Sequence, residues 1–429
     1  MIQILNDLNN CFEATDTWVT VAEAIDRFSS LLSAKAQIET VPIRDCSARI
    51  LAAQLTAKHN IPPHDNSAVD GYAVYFDDLE ENTKTRLPIR GRVTAGHPMT
   101  ELAKRGEALK IFTGAPIPKG HGDDGPDTIF MLEDIEEDDG FIILPNGINR
   151  FSNLRLIGED VKVNDIILSP GHKLRPQDIS MAASLGYEKL KVYRRLRVAV
   201  FSSGDEIQDV GTILNDGCVY DANRYSLISM LDRLGCKVTD IGILRDDPVE
   251  IKASLWEASR NHDLLITSGG VSKGEEDHIK YVVESLGALN FWNLAIKPGR
   301  PIALGYVERE DAQVPFIGLP GNPVAVMVTF LRIARPLVLL LSGARNFEPQ
   351  LYQVRSGFNF KKKVGRREWL RASLQKDDNG EIFVLKYTAD GSGIISSMVA
   401  SDGLIELSEE CGSIKKGELV DYLSFNEVM

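Results

Sequence analysis

The chain has 429 residues, 43% apolar and 25% charged, and 48 Lys and Arg against 61 Asp and Glu give it a formal net charge of -13. That length exceeds what one growing hydrophobic core accommodates and points to two to four globular domains, without the composition of a disordered or collagen-like chain. The acidic balance excludes a nucleic-acid binder working through a broad basic face, because such binding neutralises phosphates with Lys and Arg; a small anion in a local basic pocket stays allowed.

Cys11, Cys46, Cys218, Cys236 and Cys411 are odd in number, scattered and free of any CxxC pair. They predict a reduced, cytoplasmic protein with neither a disulfide framework nor a structural zinc site. The first residues lack a basic segment and a long apolar run, so no secretory signal is expected. The apolar runs at 324–330 and 336–341 each fall short of the roughly 18 residues of a spanning helix, and Arg332 and Arg335 lie between them. A soluble protein with no membrane partner is expected.

Residues 20–32 carry apolar positions at helical spacing, with Thr20 and Glu23 in the order of a capping box. From about residue 56 to 162 the texture changes to short apolar runs broken by Pro, Gly, Asn and Asp, which predicts a β-rich domain. Helical texture returns at 175–186, where Pro176 suits a first turn and Gly186 a stop. The predicted division is therefore a discontinuous, α-containing linker domain (1–55 and 163–195), a β-rich insert (56–162), an α/β domain (196–345) and a small C-terminal β domain (346–429). In the α/β domain, strands at 198–201, 264–267 and 315–318 alternate with helices at 226–234 and 248–258. That alternation predicts a parallel sheet covered by helices.

Ligands in such sheets sit beyond the carboxyl ends of the strands. Each predicted strand ends in unusual residues there: Ser202 to Glu206, Ser268 to Ser272, and Leu319 to Pro323 ahead of a helix. Gly269, Gly270 and Gly274 let backbone N–H groups approach an anion, with Ser268 and Ser272 adding hydroxyls. Glycines alone more often only turn a chain. In "KPGRP" (297–301), however, Lys297 and Arg300 are held between Pro298 and Pro301 and can meet one multiply charged anion. Pro320 and Pro323 stiffen the chain around Gly321 and Asn322 and start a helix whose N-terminus faces the same edge. The carboxylates Glu206, Asp221 and Asp277 would repel an anion unless a hard divalent cation, most economically Mg²⁺, bridges them to phosphate oxygens. Asp70 and Thr113 on their own read as turn residues of the β-rich domain. The histidines show no metal-ligand spacing, and no Gly-x-Ser-x-Gly or Walker sequence occurs.

Taken together, "DNSAVDGYAV" (65–74), "FTGAPIP" (112–118), "SSGDEI" (202–207), "YDANR" (220–224), "TSGGVSKGEEDHIK" (267–280), "IKPGRPIALG" (296–305) and "GLPGNPVA" (318–325) resemble the molybdopterin molybdenumtransferase family, which includes MoeA and the E domain of gephyrin. The likeness extends to "GRREWLRA" (365–372) and "GSGIISSM" (391–398) and covers essentially the whole chain. It implies a multidomain α/β enzyme whose α/β domain has the MogA-like molybdopterin-binding fold and whose C-terminal domain is a small β-barrel. It further implies a homodimer that takes adenylated molybdopterin and molybdate, cleaves the adenylate with Mg²⁺ and releases AMP. The implied active cleft lies between the α/β domain of one subunit and the β-rich domain of the other, which gives Asp70 and Thr113 a purpose. The resemblance implies that Glu206 and Asp277, with Asp221 nearby, serve the metal and phosphate end. Lys297 and Arg300, joined by Arg371 and Ser392, then hold molybdate or the pterin phosphate. Arg155 and Asp160 fit an "R..GED" pattern. Three departures stand out: Arg300 where Lys is common, Ser203 for a frequent Thr, and Ala325 where many relatives have Ser. The alternatives are a molybdopterin adenylyltransferase-type activity and a non-catalytic dimeric scaffold. Implied partners beyond the second subunit are the adenylyltransferase and recipient molybdoenzymes.

Overall fold

The computed structural model describes residues 8–13, 17–122, 124–270, 278–310 and 312–429. They group into two compact units: one of residues 1–53, 170–175 and 190–429, the other of 54–169 and 176–189.

The first unit is built on a six-stranded sheet. Its strands are β1 (Arg197–Ser203), β2 (Lys237–Leu244), β3 (Leu264–Ser268), β4 (Gly287–Asn293), β5 (Pro301–Arg309) and β6 (Ala312–Leu319), in the order β2-β1-β3-β6-β5-β4. Strands β1, β2, β3 and β6 run parallel, as expected. Beyond these four strands the sheet is mixed, because β5 runs antiparallel to both β6 and β4. Only residues 310 and 311 separate β5 from β6, too few for the crossover a parallel pair requires.

Helix α1 (Val21–Leu31) carries the expected capping box between Thr20 and Glu23. Its Phe28 stacks on Trp292 at the end of β4, with ring centroids 5.9 Å apart. Helices α2 (Ala222–Leu234), α3 (Pro248–Asn261) and α4 (His278–Leu286) flank the sheet. Gly235 stops α2 in the left-handed conformation, at φ 89°. Helix α5 (Pro323–Leu341) runs unbroken for 19 residues, with a π turn over Phe330–Ala334. It is long and apolar enough to cross a membrane, yet 89% of its apolar window is buried inside the protein, as befits a core helix. The two arginines that interrupt it turn inward: Arg332 donates to Glu406 (3.2 Å) and Arg335 to the Phe347 carbonyl (3.1 Å).

Five C-terminal strands close on themselves through pairing of Arg367–Lys376 with Gly403–Leu407, which gives the expected barrel. The short strand Ile296–Lys297 adds in parallel to Arg367 and Glu368, so the segment leading into "KPGRP" is sewn to the barrel.

The second unit holds another six-stranded sheet, in which Gly71–Val74 pairs antiparallel with Ala108–Ile111 and with Thr128–Met131. Tyr72, Phe130, Ile142 and Leu144 form part of its core. Helix Pro176–Ser184 belongs to this unit.

Candidate active site

The parallel strands β1, β3 and β6 end on one edge, and their loops frame a cleft of about 400 Å³. Glu206 lines it from the first loop, Gly269 and Gly270 from the second, and Pro320, Gly321 and Asn322 from the third. Arg300 and Pro301 reach it from the start of β5, and Ser392 from the barrel. All of these were candidates from the sequence alone. Gly299, Leu319 and Ala325 complete the wall.

Each loop has a local cause. Gly269 and Gly270 are consecutive left-handed residues, at φ +82° and +65°, and a Cβ on Gly270 would lie 2.1 Å from the Ser203 Oγ. The glycine turn thus sits directly on Ser203. The hydroxyls of Ser202, Ser203 and Thr267 are buried without a hydrogen-bond partner among the described residues. Gly204, at φ +132°, lets the Glu206 carboxylate fold back over it, since a Cβ there would lie 2.4 Å from Glu206 Oε2. Ser268 accepts a hydrogen bond from Asn223 Nδ2 (2.8 Å) and donates to the Pro320 carbonyl (3.2 Å). Asn223 also donates to the Gly321 carbonyl (2.7 Å), so one amide ties the second loop to the third. Sequence reasoning missed Asn223, although it stands inside "YDANR", as the second residue of α2. Pro323 occupies the first turn of α5, while the Val324 N–H is taken by the Ser392 carbonyl (3.0 Å).

The cations differ in what they are free to do. Arg300 is exposed, and its guanidinium lies 5.0 Å from the centroid of the Trp18 ring. Lys297 Nζ is engaged by Glu368 Oε1 at 2.6 Å. Arg371 is buried and braces the loop that carries Ser392, donating to Ser397 Oγ (3.0 Å) and to the carbonyls of Ala389 (2.8 Å) and Gly391 (3.3 Å). Burial lowers its pKa below the usual arginine value.

Among the carboxylates, Glu206 faces the cleft, whereas Asp221 does not reach it. Asp221 caps α2 by accepting from the Arg224 N–H (3.1 Å), and its other oxygen binds Arg224 Nε (2.9 Å). Arg224 is itself buried and also bonds Asp209 (2.6 Å) and Asp240. Burial works against its charge, and Asp240 and Asp221 more than offset that and raise its pKa. Beside Glu206, burial raises the pKa of Asp246, and the charges of Asp205 and Glu206 add to the effect while His278 opposes it. No group of three His, Cys, Asp or Glu side chains among the described residues is placed to hold a metal. Ser272, Gly274 and Asp277 lie outside the described residues.

Asp70 and Thr113 belong to the second unit, where the pairing of Gly71 with Ile111 sets them side by side. Both the N–H and the hydroxyl of Thr113 donate to Asp70 Oδ1, at 2.8 and 2.7 Å. The backbone bond first and the hydroxyl second hold the Asp70 carboxyl below its usual pKa. Gly71 permits the arrangement, because a Cβ there would meet the Phe130 carbonyl oxygen at 1.8 Å.

Residues 19–186 match the MoeA N-terminal region (domain I and II), 199–339 the probable molybdopterin binding domain, and 353–425 the MoeA C-terminal region (domain IV). A molybdopterin molybdenumtransferase of Haemophilus influenzae is 37% identical over 413 residues, which cover 96% of this chain and 100% of that protein. The chain belongs to the molybdopterin molybdenumtransferase family. That family is one of enzymes in molybdenum-cofactor biosynthesis. Its Nostoc sp. member is 29% identical to this chain, covering 92% of it and 85% of the relative. The crystal structure of the MoeA protein of Pyrococcus horikoshii superposes with a TM-score of 0.78 at 27% identity, covering 95% of this chain and 100% of that one.

Proposed function

We propose that this member of the family inserts molybdenum, supplied as molybdate, into molybdopterin presented as an adenylate, and releases AMP. The observation that carries the reading is the cleft in which Arg300, the Gly269–Gly270 turn and Glu206 meet at the carboxyl edge of the sheet. A cation and a left-handed glycine turn suit an oxyanion. A carboxylate among them suits a substrate whose phosphate arrives with a divalent cation.

In this reading Arg300 presents its planar fork to molybdate or phosphate oxygens, with Ser392 in the same cleft and Lys297 supplying charge from its pair with Glu368. Pro301, Pro320 and Pro323 keep the walls stiff, so the substrate meets a preformed site. Arg371 acts through the Ser392 loop that it braces. Asp221 acts through Arg224, which fixes the loop bearing Glu206. Mg²⁺ fits the donor set: this ion is usually held by one or two carboxylates plus substrate phosphates, and Glu206 with Asp277 would supply the carboxylates. Bound there, it would offset charge on the phosphate that leaves with AMP. No side-chain nucleophile is required, because positioning and charge do the chemistry.

The reading includes a homodimer in which the Asp70–Thr113 pair serves the cleft of the partner subunit. It also includes hand-over from a molybdopterin adenylyltransferase and delivery to recipient molybdoenzymes. The first test is AMP release from adenylated molybdopterin with Mg²⁺ and molybdate. Release that depends on molybdate supports the transferase, whereas ATP consumption with free molybdopterin would point to the adenylyltransferase and inertness of the folded protein to a scaffold.

A further inference from the structure

We infer that Trp18 is a positioning residue for the oxyanion site: its indole is the platform that fixes the Arg300 guanidinium at the cleft. This rests on the reading of that cleft as an oxyanion site. Trp18 is 48% exposed, unusual for so large an apolar side chain. It precedes the Thr20 cap of α1 and lies outside every motif that carried the family resemblance.

The backbone holds the two side chains to one short segment. The Val19 N–H donates to the Asn293 carbonyl (3.0 Å), and the Ala295 N–H donates to the Val19 carbonyl (2.8 Å). Between those two bonds the Leu294 N–H donates to the Arg300 carbonyl (2.9 Å). Residues 293–295 therefore clasp Val19 on one side and Arg300 on the other. Val19 is itself buried in the core, which anchors the clasp. The guanidinium then rests 5.0 Å from the indole centroid.

The chemistry of that contact matters for the ligand. A carboxylate partner would consume the in-plane N–H donors of Arg300. An aromatic ring takes only the face of the guanidinium and leaves the donors at its edge for an oxyanion. The flexible arginine stem is restrained while its binding capacity is kept.

The test is equilibrium dialysis with molybdate on the full-length wild type, Trp18→Leu, Trp18→Phe, Arg300→Gln and the Trp18→Leu/Arg300→Gln double variant. Trp18→Leu weakens binding roughly two- to fivefold, the size of a cation–π contact at an exposed site. Trp18→Phe keeps most of the affinity, and Trp18→Leu costs nothing further once Arg300 is Gln. Wild-type affinity in Trp18→Leu, or the same loss with and without Arg300, overturns the inference. If the wild type itself binds no molybdate, the oxyanion reading fails and the role of Trp18 with it. Should Trp18→Leu not fold, indole fluorescence replaces it: molybdate shifts the emission of the wild type but not of Trp18→Phe. Emission unmoved by molybdate in the wild type, or equally moved in both, overturns the inference.

Discussion

A side chain at residue 270 would have to adopt φ near +65° with its Cβ 2.1 Å from the Ser203 Oγ and 2.8 Å from Ile279 Cδ1. The left-handed conformation alone costs an alanine about 1–2 kcal/mol. Gly270→Ala is therefore expected to lose most of its turnover while its urea midpoint falls only modestly, a split that activity and denaturation curves read together. In the other unit the Thr113 hydroxyl makes the second of the two hydrogen bonds that hold the Asp70 carboxyl below its usual pKa. Thr113→Val keeps the backbone bond and loses the other, so the Asp70 pKa rises toward the ordinary value of about 3.9, as carboxyl-carbon NMR titration would show. Both residues stand in motifs visible in the sequence, but their partnership is not visible there. It depends on the pairing of Gly71 with Ile111 across 40 positions, which no local string displays. Asp221 is the opposite case. Its partner stands three residues on, within "YDANR", and the spacing of an i,i+3 pair at a helix start was there to be read.

Helix α2 shows how one element sets a loop. Arg224 gathers Asp221, Asp209 and Asp240 and is only 2% exposed. Removing the cation leaves buried Asp221 without its partner, so Arg224→Ala should cost about 3–5 kcal/mol, seen as a lower urea midpoint. Glu206, upstream of Asp209 on the same loop, loses its fixed place, and activity should fall further than the lost folded fraction explains. The strands of the sheet were legible because their apolar runs are bounded by loop residues, and α1 because its cap lies in its first turn. The antiparallel course of β5 followed from a connection of two residues. The engagement of Lys297 by Glu368 was not legible, because the two meet only after the barrel has closed against residues 296–297.

Within the first unit, charges buried at the seams join its parts. Glu406, on the barrel, accepts from Arg332 of α5 (3.2 Å), from Arg367 (2.7 Å) and from the Trp369 indole (2.9 Å). Glu406→Gln leaves the Arg332 cation buried with a weakened partner and should lower the thermal midpoint markedly. At the foot of the sheet, Asp263 faces the same choice between charge and burial. Burial would raise its pKa, but the Arg197 hydrogen bonds and the Arg194 charge win and hold it below the usual carboxylate range. A carboxyl whose folded pKa is depressed adds stability above its unfolded pKa of about 3.9 and loses it as pH falls through the lower folded value. Below about pH 4 the wild type should therefore lose this contribution, and Asp263→Asn should show a flatter loss of stability across that window. The family motifs made the cleft legible as a set, since each strand end named one wall. Trp18 was not, because a lone tryptophan before a helix carries no pattern. For the molecule as a whole, the most direct measurement is reconstitution of a molybdenum-free apo-molybdoenzyme from adenylated molybdopterin, Mg²⁺ and molybdate, with wild type and Glu206→Gln side by side. Molybdate-dependent reconstitution by the wild type, matched by AMP release and sharply reduced in Glu206→Gln at limiting Mg²⁺, is the predicted result. Reconstitution no faster than in the absence of the protein, or a Glu206→Gln variant as active as the wild type at limiting Mg²⁺, would contradict it.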